Sequence, residues 1–325
     1  MKERPPLPQN PAIPPESAGW KATRRDFLTA TGAILSGLYK GPPAARAGTS
    51  ECKTLRFGLV TDAHFADTTT RGTRYYRESV AKMTECITLM NDRKVDFLIE
   101  TGDIKDEDQP SSEKNSLKYL ETIEKVFARF QGKRYHVLGN HDLDSISKPQ
   151  FLARTENTGI ARGATYYSFD LKGLHFIVLD ANYTADGSDY DHGHFHWNDI
   201  NIPRKELIWL ENDLASTPKP VIVFVHQPLD SDNAIGVSNA DSVRRVLEHR
   251  GTVLAVFQGH YHPGSYRCIN GIHYYTLKAM VEGDGTGNNA YAIVDVAADY
   301  GIVVTGYRRA VSQKMKPAFQ AGCIC

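Results

Sequence analysis

Nowhere in the 325 residues does an apolar run approach the roughly 20 residues that a membrane-spanning helix needs, which excludes a polytopic membrane protein. Cysteine is scarce. Five thiols cannot staple a chain of this size, so a packed core must carry the fold. An excess of one charge is also missing: 38 basic and 38 acidic side chains cancel. A neutral balance lacks the basic footprint of a dedicated nucleic-acid binder, and no nucleic-acid binding is expected. Internal repeats are absent, and Gly283–Asn289 lacks the strand-to-helix context that would make its glycines a phosphate cradle. What is present, 41% hydrophobic and 23% charged residues, is an ordinary globular composition.

The N-terminus belongs to a different regime. Residues 1–19 are proline-rich and aperiodic, which predicts no stable structure. Arg24-Arg25 then precede a mild apolar stretch, Leu28–Leu38, and Ala45-Arg46-Ala47 offers the small residues that signal peptidases accept. Paired arginines before a weakly hydrophobic segment resemble a bacterial twin-arginine export signal. That resemblance implies a signal over residues 1–47, a functional domain over 48–325 and the twin-arginine export machinery as a partner. The location would be periplasmic or secreted, with no stable membrane anchor. The alternative, a buried amphipathic helix, fits badly with Gly32, Gly37, Gly41, Pro42 and Pro43. Cys323-Ile324-Cys325 reads as a frayed tail.

From Thr54 onward short β-rich runs alternate with helical periods. Leu55–Val60, Phe97–Ile99, Tyr135–Leu138, Phe176–Leu179, Val221–Val225 and Val253–Phe257 read as strands. Tyr76, Val80, Met83, Ile87 and Met90 form one stripe of a helix, and Leu117–Phe127 marks a second. Further helices are expected over 205–214 and 241–249. Asn270-Gly271 signals a hairpin, with closing strands over 291–296 and 302–305. The alternation argues for βαβ units, and the β-rich stretches 166–179 and 272–305 suggest a second sheet packed on the first.

The polar residues of interest sit where open α/β sheets place ligands, beyond the carboxyl ends of strands. Asp62 and His64 follow the first strand, Asp103 the second, Asn140 and His141 the third. His226 follows Val225, and His260 and His262 follow Phe257. Two divalent ions about 3.5–4 Å apart can neutralise a phosphoryl group and generate hydroxide near neutral pH. Such a pair needs a bridging carboxylate with imidazole and amide ligands around it. This mixture suits Mn, Fe, Zn or Co rather than calcium.

Asp62-Ala63-His64, Gly102-Asp103, Gly139-Asn140-His141-Asp142, His226 and Gly259-His260-Tyr261-His262 resemble the ordered signature of calcineurin-like metallophosphoesterases. The resemblance implies an α/β fold, a four-layer α/β/β/α sandwich of two mixed sheets with a dimetal site at the strand ends. It further implies that Asp62, His64 and His262 hold one ion, that Asn140, His226 and His260 hold the other, and that Asp103 bridges them. His141 would contact the phosphoryl group or protonate the leaving alkoxide, with Asp142 orienting it. Asp106 stands where purple acid phosphatases carry a tyrosine, which argues against a ferric purple centre. Phe65-Ala66-Asp67 and Arg74-Tyr75-Tyr76-Arg77 are similar to the manganese-dependent ADP-ribose/CDP-alcohol diphosphatase branch. In that reading Arg74 or Arg77 meets a second phosphate and Tyr75 lines the pocket; the same residues also suit a helix start with its arginines in water.

His136, His175, His249 and His273 read as structural. Asp186–Asp199, rich in His and Asp, reads as a solvated or substrate-covering loop rather than a third metal site, and Gly283–Asn289 as a loop bordering the pocket. The functional expectation is an exported dimetal phosphoesterase acting on phosphodiester or nucleoside-diphosphate-linked small molecules through hydroxide generated at the metals. A phosphomonoesterase and a catalytically silent metal-binding module are the rivals.

Overall fold

The computed structural model describes residues 54–231 and 233–317. The twin-arginine segment, its junction at residue 47 and the Cys323–Cys325 tail lie outside the described residues.

The first half of the chain runs β1 (Leu55–Val60), α1 (Ser79–Asp92), β2 (Phe97–Glu100), α2 (Glu113–Phe127), β3 (Lys133–His136) and α3 (Lys148–Leu152). Next come β4 (Tyr167–Leu171), β5 (Leu174–Val178), α4 (Arg204–Ser216), β6 (Val221–Phe224), α5 (Ala240–His249) and β7 (Val253–Gln258). The last strands are β8 (Ser265–Ile269), β9 (Ile272–Thr276), β10 (Ala290–Val296), β11 (Ile302–Arg308) and β12 (Gln313–Met315). They build two mixed sheets, ordered β12-β11-β10-β1-β2-β3 and β4-β5-β6-β7-β9-β8. In the first, β1, β2 and β3 are parallel. In the second, β5, β6, β7 and β9 are parallel, with β4 and β8 as antiparallel edges.

Three apolar layers hold these elements. One lies between α1, α2 and the first sheet and includes Met83, Ile87, Met90 and Ile123. One fills the space between the sheets, where Phe57, Phe97, Phe176, Phe224 and Phe257 interlock in stacked and edge-to-face pairs. The third lies between α4, α5 and the second sheet. The central strands are buried on both faces, which is why they read as unbroken hydrophobic runs.

The structure departs from the expectation at three places. β3 spans 133–136 rather than 135–138, because as an edge strand it opens with the solvent-facing Lys133 and Arg134 and shows no apolar onset. α3 and β12 are too short for any periodicity to register. The hairpin falls as expected, with positive φ at both Asn270 (49°) and Gly271 (86°).

Candidate metal centre

Val60, Glu100 and His136 are in register across β1, β2 and β3, and Phe224 pairs with Phe257 across β6 and β7. The loops that follow these strands therefore leave both sheets at matched levels. Their first residues turn sharply. Asp62, His64, Asp103 and His260 all take left-handed φ (52°, 46°, 59° and 66°). Such conformations are uncommon outside glycine and gather at functional sites. Gly102 and Gly139 both allow close approach: a side chain on Gly102, which also has φ 98°, would collide with the His226 ring, and one on Gly139 with Asp103.

Three groups of candidate ligands result: His64, Asp106 and His141 come from the first sheet alone, and two groups draw on both sheets. In the first of these two, His64 Nε2 and His262 Nε2 converge at 3.2 Å, with Asp62 Oδ1 3.6 and 3.5 Å away. The other ring nitrogens are committed. His64 Nδ1 donates to Asp106 Oδ2 at 3.0 Å, and His262 Nδ1 to Glu282 Oε1 at 2.6 Å. Proton placement on Nδ1 leaves the two Nε2 lone pairs facing each other, an arrangement that a cation among them relieves.

In the second cluster, His226 Nε2 lies 3.1 Å from Asp103 Oδ2, and His260 adjoins both. His226 Nδ1 donates to the Thr101 carbonyl at 2.7 Å, so its other ring nitrogen also faces inward. Burial and the neighbouring His226 lower the pKa of His260 to about 3, holding it in the neutral form that ligation needs. Burial opposes charge on His226 too, but Asp103 and Asp62 overcome it and raise that pKa to about 10. Asp103 Oδ1 accepts the His141 amide at 2.7 Å. Its Oδ2 sits between the clusters, 3.5 Å from His64 Nε2 and 3.1 Å from His226 Nε2.

These residues fit a pair of divalent cations. Asp62 Oδ1, Asn140 Oδ1 and His226 Nε2 are buried without a hydrogen-bond partner, although buried polar atoms are nearly always paired. The donor set of carboxylate, amide and imidazole is that of a borderline transition metal.

His141 opens the 3₁₀ turn His141–Leu143 with its side chain 28% exposed. Asp142 does not orient it, contrary to expectation. The Asp142 carboxylate is fully buried and accepts the amides of Gly139, Asp103 and Ile104 at 2.9–3.0 Å, tying the loop after β2 to the loop after β3. The partner of His141 Nδ1 is Asp144 at 2.6 Å. Desolvation opposes charge on His141, but Asp144, Asp103 and Asp106 outweigh it and raise the pKa to about 10.

The sequence model of the calcineurin-like phosphoesterases matches residues 55–264. The chain belongs to that family. It is 25% identical over 286 residues to a manganese-dependent ADP-ribose/CDP-alcohol diphosphatase of Oryza sativa subsp. japonica, covering 75% of this chain and 88% of the relative. A 3',5'-cyclic-nucleotide phosphodiesterase of Nostoc is 26% identical over 187 residues, covering 56% of this chain and 61% of that protein. The fold is shared with a dimetal phosphatase from Danio rerio at a TM-score of 0.71 and 21% identity, covering 81% and 99% of the two chains. The protein is a metal-dependent, dimetal phosphoesterase of α/β fold.

A cleft of about 410 Å³ opens beside His141 in this phosphoesterase, walled by Arg71, Arg74, Asp144, Phe195 and Trp197. Arg74 Nη1 lies 3.8 Å from Asp106. Of the other residues expected near substrate, Arg77 is held at the surface by Asp67 at 2.6 Å, and neither it nor Tyr75 lines the cleft; Arg71 does. Tyr76 is buried, with Arg71 over its ring. The 186–199 segment is a largely exposed loop that lends Gly193, Phe195, His196 and Trp197 to the cleft, in line with a solvated or substrate-covering role. His192 and Gly193 donate to the carbonyls of Ile146 and Leu143, and Phe195 stacks on buried Tyr190 at 3.8 Å. The buried Lys148 ammonium anchors this loop through Asp180 and Asp189. The segment forms no metal cluster among the described residues. Gly283–Asn289 does not line the cleft. Three of the four histidines expected to be structural pack accordingly: His136 between Glu100 and Glu124, His175 between Asp170 and Asp213, His273 against Tyr266 and the Lys316 carbonyl; His249 is exposed at the end of α5.

Sequence reasoning missed Asp144, Glu282 and Arg71. Asp144 had a signal, since residues three apart eclipse in a 3₁₀ turn. Glu282, twenty residues from His262 in a loop, had none.

Proposed function

We propose that this phosphoesterase is an exported hydrolase of phosphodiester or nucleoside-diphosphate-linked small molecules. In this reading Asp62, His64 and His262 hold one divalent cation, Asn140, His226 and His260 a second, and Asp103 both. The ion set is Mn, Fe, Zn or Co, and the manganese in the name of the rice relative favours Mn. Bound cations supply Lewis acidity to the phosphoryl group and activate water near neutral pH. The protein's own groups do the rest. His141, kept protonated by Asp144, faces the cleft and delivers its proton to the departing alkoxide. Asp142 fixes the two loops that carry Asp103 and Asn140.

One observation carries the substrate class: Arg74 and Arg71 stand in the same cleft as His141, which Trp197, 52% exposed, also lines. Guanidinium groups match phosphate geometry, so a second phosphate beyond the scissile one meets cations there. A monoester offers nothing to that arm. Arg74→Ala therefore raises KM for ADP-ribose or another nucleoside diphosphate about tenfold or more, and leaves p-nitrophenyl phosphate hydrolysis near parental, as steady-state kinetics on both substrates will read. Equal losses on both favour the phosphomonoesterase reading.

Export rests on Arg24-Arg25 ahead of Leu28–Leu38, with residues 1–47 as the signal and 48–325 as the functional domain. Replacing both arginines with lysine retains the protein in the cytoplasm in a cell-fractionation assay. Unimpaired export of that variant would remove the assignment.

A further inference from the structure

Lys82 is fully buried on α1, yet its ammonium meets backbone carbonyls rather than a carboxylate. Nζ donates to Gly283 O at 2.6 Å, Met280 O at 2.9 Å and Glu282 O at 3.1 Å, with Val281 O at 3.4 Å. Burial, reinforced by nearby Arg309, lowers its pKa to about 8, so the charge survives at neutral pH. Four carbonyls of one turn thus converge on a single cation. Glu282 O also accepts Arg309 Nη1 at 2.9 Å and Val281 O the Tyr75 amide at 3.0 Å, so what the Lys82 ammonium adds is the charged donor shared with Met280 O and Gly283 O.

That turn connects the two working parts of the site. The amides of Met280 and Val281 donate to the carbonyls of Thr61 and Asp62. Between them and Gly283, the Glu282 carboxylate receives His262 Nδ1. On the other side, Gly283 donates to Thr73 and Tyr75 donates to Val281, pairing the turn with the segment that carries Arg74. We propose that Lys82 is a positioning residue, whose ammonium shapes the 280–283 turn so that Glu282 fixes His262 and the 73–75 segment presents Arg74. The inference rests on the reading of His262 as a metal ligand. Loss of an outer partner of a ligating histidine typically weakens metal binding by about 10–100-fold.

The test compares full-length parent, Lys82→Met, Glu282→Gln and the double variant, stripped with chelator and titrated with Mn²⁺ by calorimetry. Each single variant is expected to lose about 10–100-fold in Mn²⁺ affinity at one site, and the double no more than the worse single, because both act on one histidine. Lys82→Met is further expected to raise KM for a diphosphate substrate more than it lowers kcat. Parental Mn²⁺ binding by Lys82→Met, or losses that multiply in the double variant, overturns the inference. A parent that binds fewer than two Mn²⁺ ions refutes the two-metal reading instead. If Lys82→Met does not fold, Lys82→Gln, which keeps a donor without the charge, takes its place. Failure of both to fold assigns the ammonium to global stability and also overturns the inference.

Discussion

Asp103→Asn lowers metal-dependent turnover of bis-p-nitrophenyl phosphate by about 10³-fold or more. The substitution keeps an oxygen able to accept the His141 amide, so the loop after β3 stays in place. What it removes is the negative charge at Oδ2, the atom nearest both imidazole sets. Metal stabilisation of a phosphoryl transition state amounts to several kcal/mol, and each 1.4 kcal/mol is a factor of ten in rate. Steady-state kinetics in excess Mn²⁺, with circular dichroism to show an intact fold, decides the matter. Parental turnover in a folded Asp103→Asn protein would end the two-metal proposal.

The second large effect concerns stability. Each of the two proposed metal clusters spans both sheets, so it exists only in the folded chain, and a cation that binds there stabilises the native state alone. At a free concentration of 1,000 times its dissociation constant, one such ion contributes about 4 kcal/mol. For a domain of this size that corresponds to roughly 10 °C in melting temperature. Calorimetric scans in chelator and in graded Mn²⁺ are expected to show a melting point that climbs with metal. A midpoint indifferent to Mn²⁺ would mean that the clustered side chains bind no ion.

The sheets and their loops were legible in the sequence because the informative residues are local. A short hydrophobic run followed within a few positions by Asp, His or Asn is visible without knowing what it packs against. The Asn270-Gly271 hairpin is legible for the same reason, since its positive φ angles are intrinsic to those two residues. Partners supplied from elsewhere were not. The orienting role of Asp142 came with the family resemblance, but adjacent residues in a turn diverge; its carboxylate accepts backbone amides while Asp144 meets the ring. Arg77 and Arg71 are equivalent on paper, and only Asp67 beside Arg77 separates them. Lys82 and Glu282 are 200 residues apart, so no spacing rule joins them. The 186–199 segment was legible as a solvated or substrate-covering loop, but nothing in its polar composition points to Lys148, the buried cation that secures it.

The division of each proposed metal cluster between two sheets has a consequence for when the molecule becomes competent. Asp62, His64 and Asp103 arrive early in the chain and His226, His260 and His262 late, so a nascent or truncated polypeptide holds only fragments of either coordination shell. Chemistry therefore requires both sheets to be in place, with the aromatic layer packed between them. A copy lacking either sheet is expected to be inert in an assay of metal-dependent phosphoester hydrolysis.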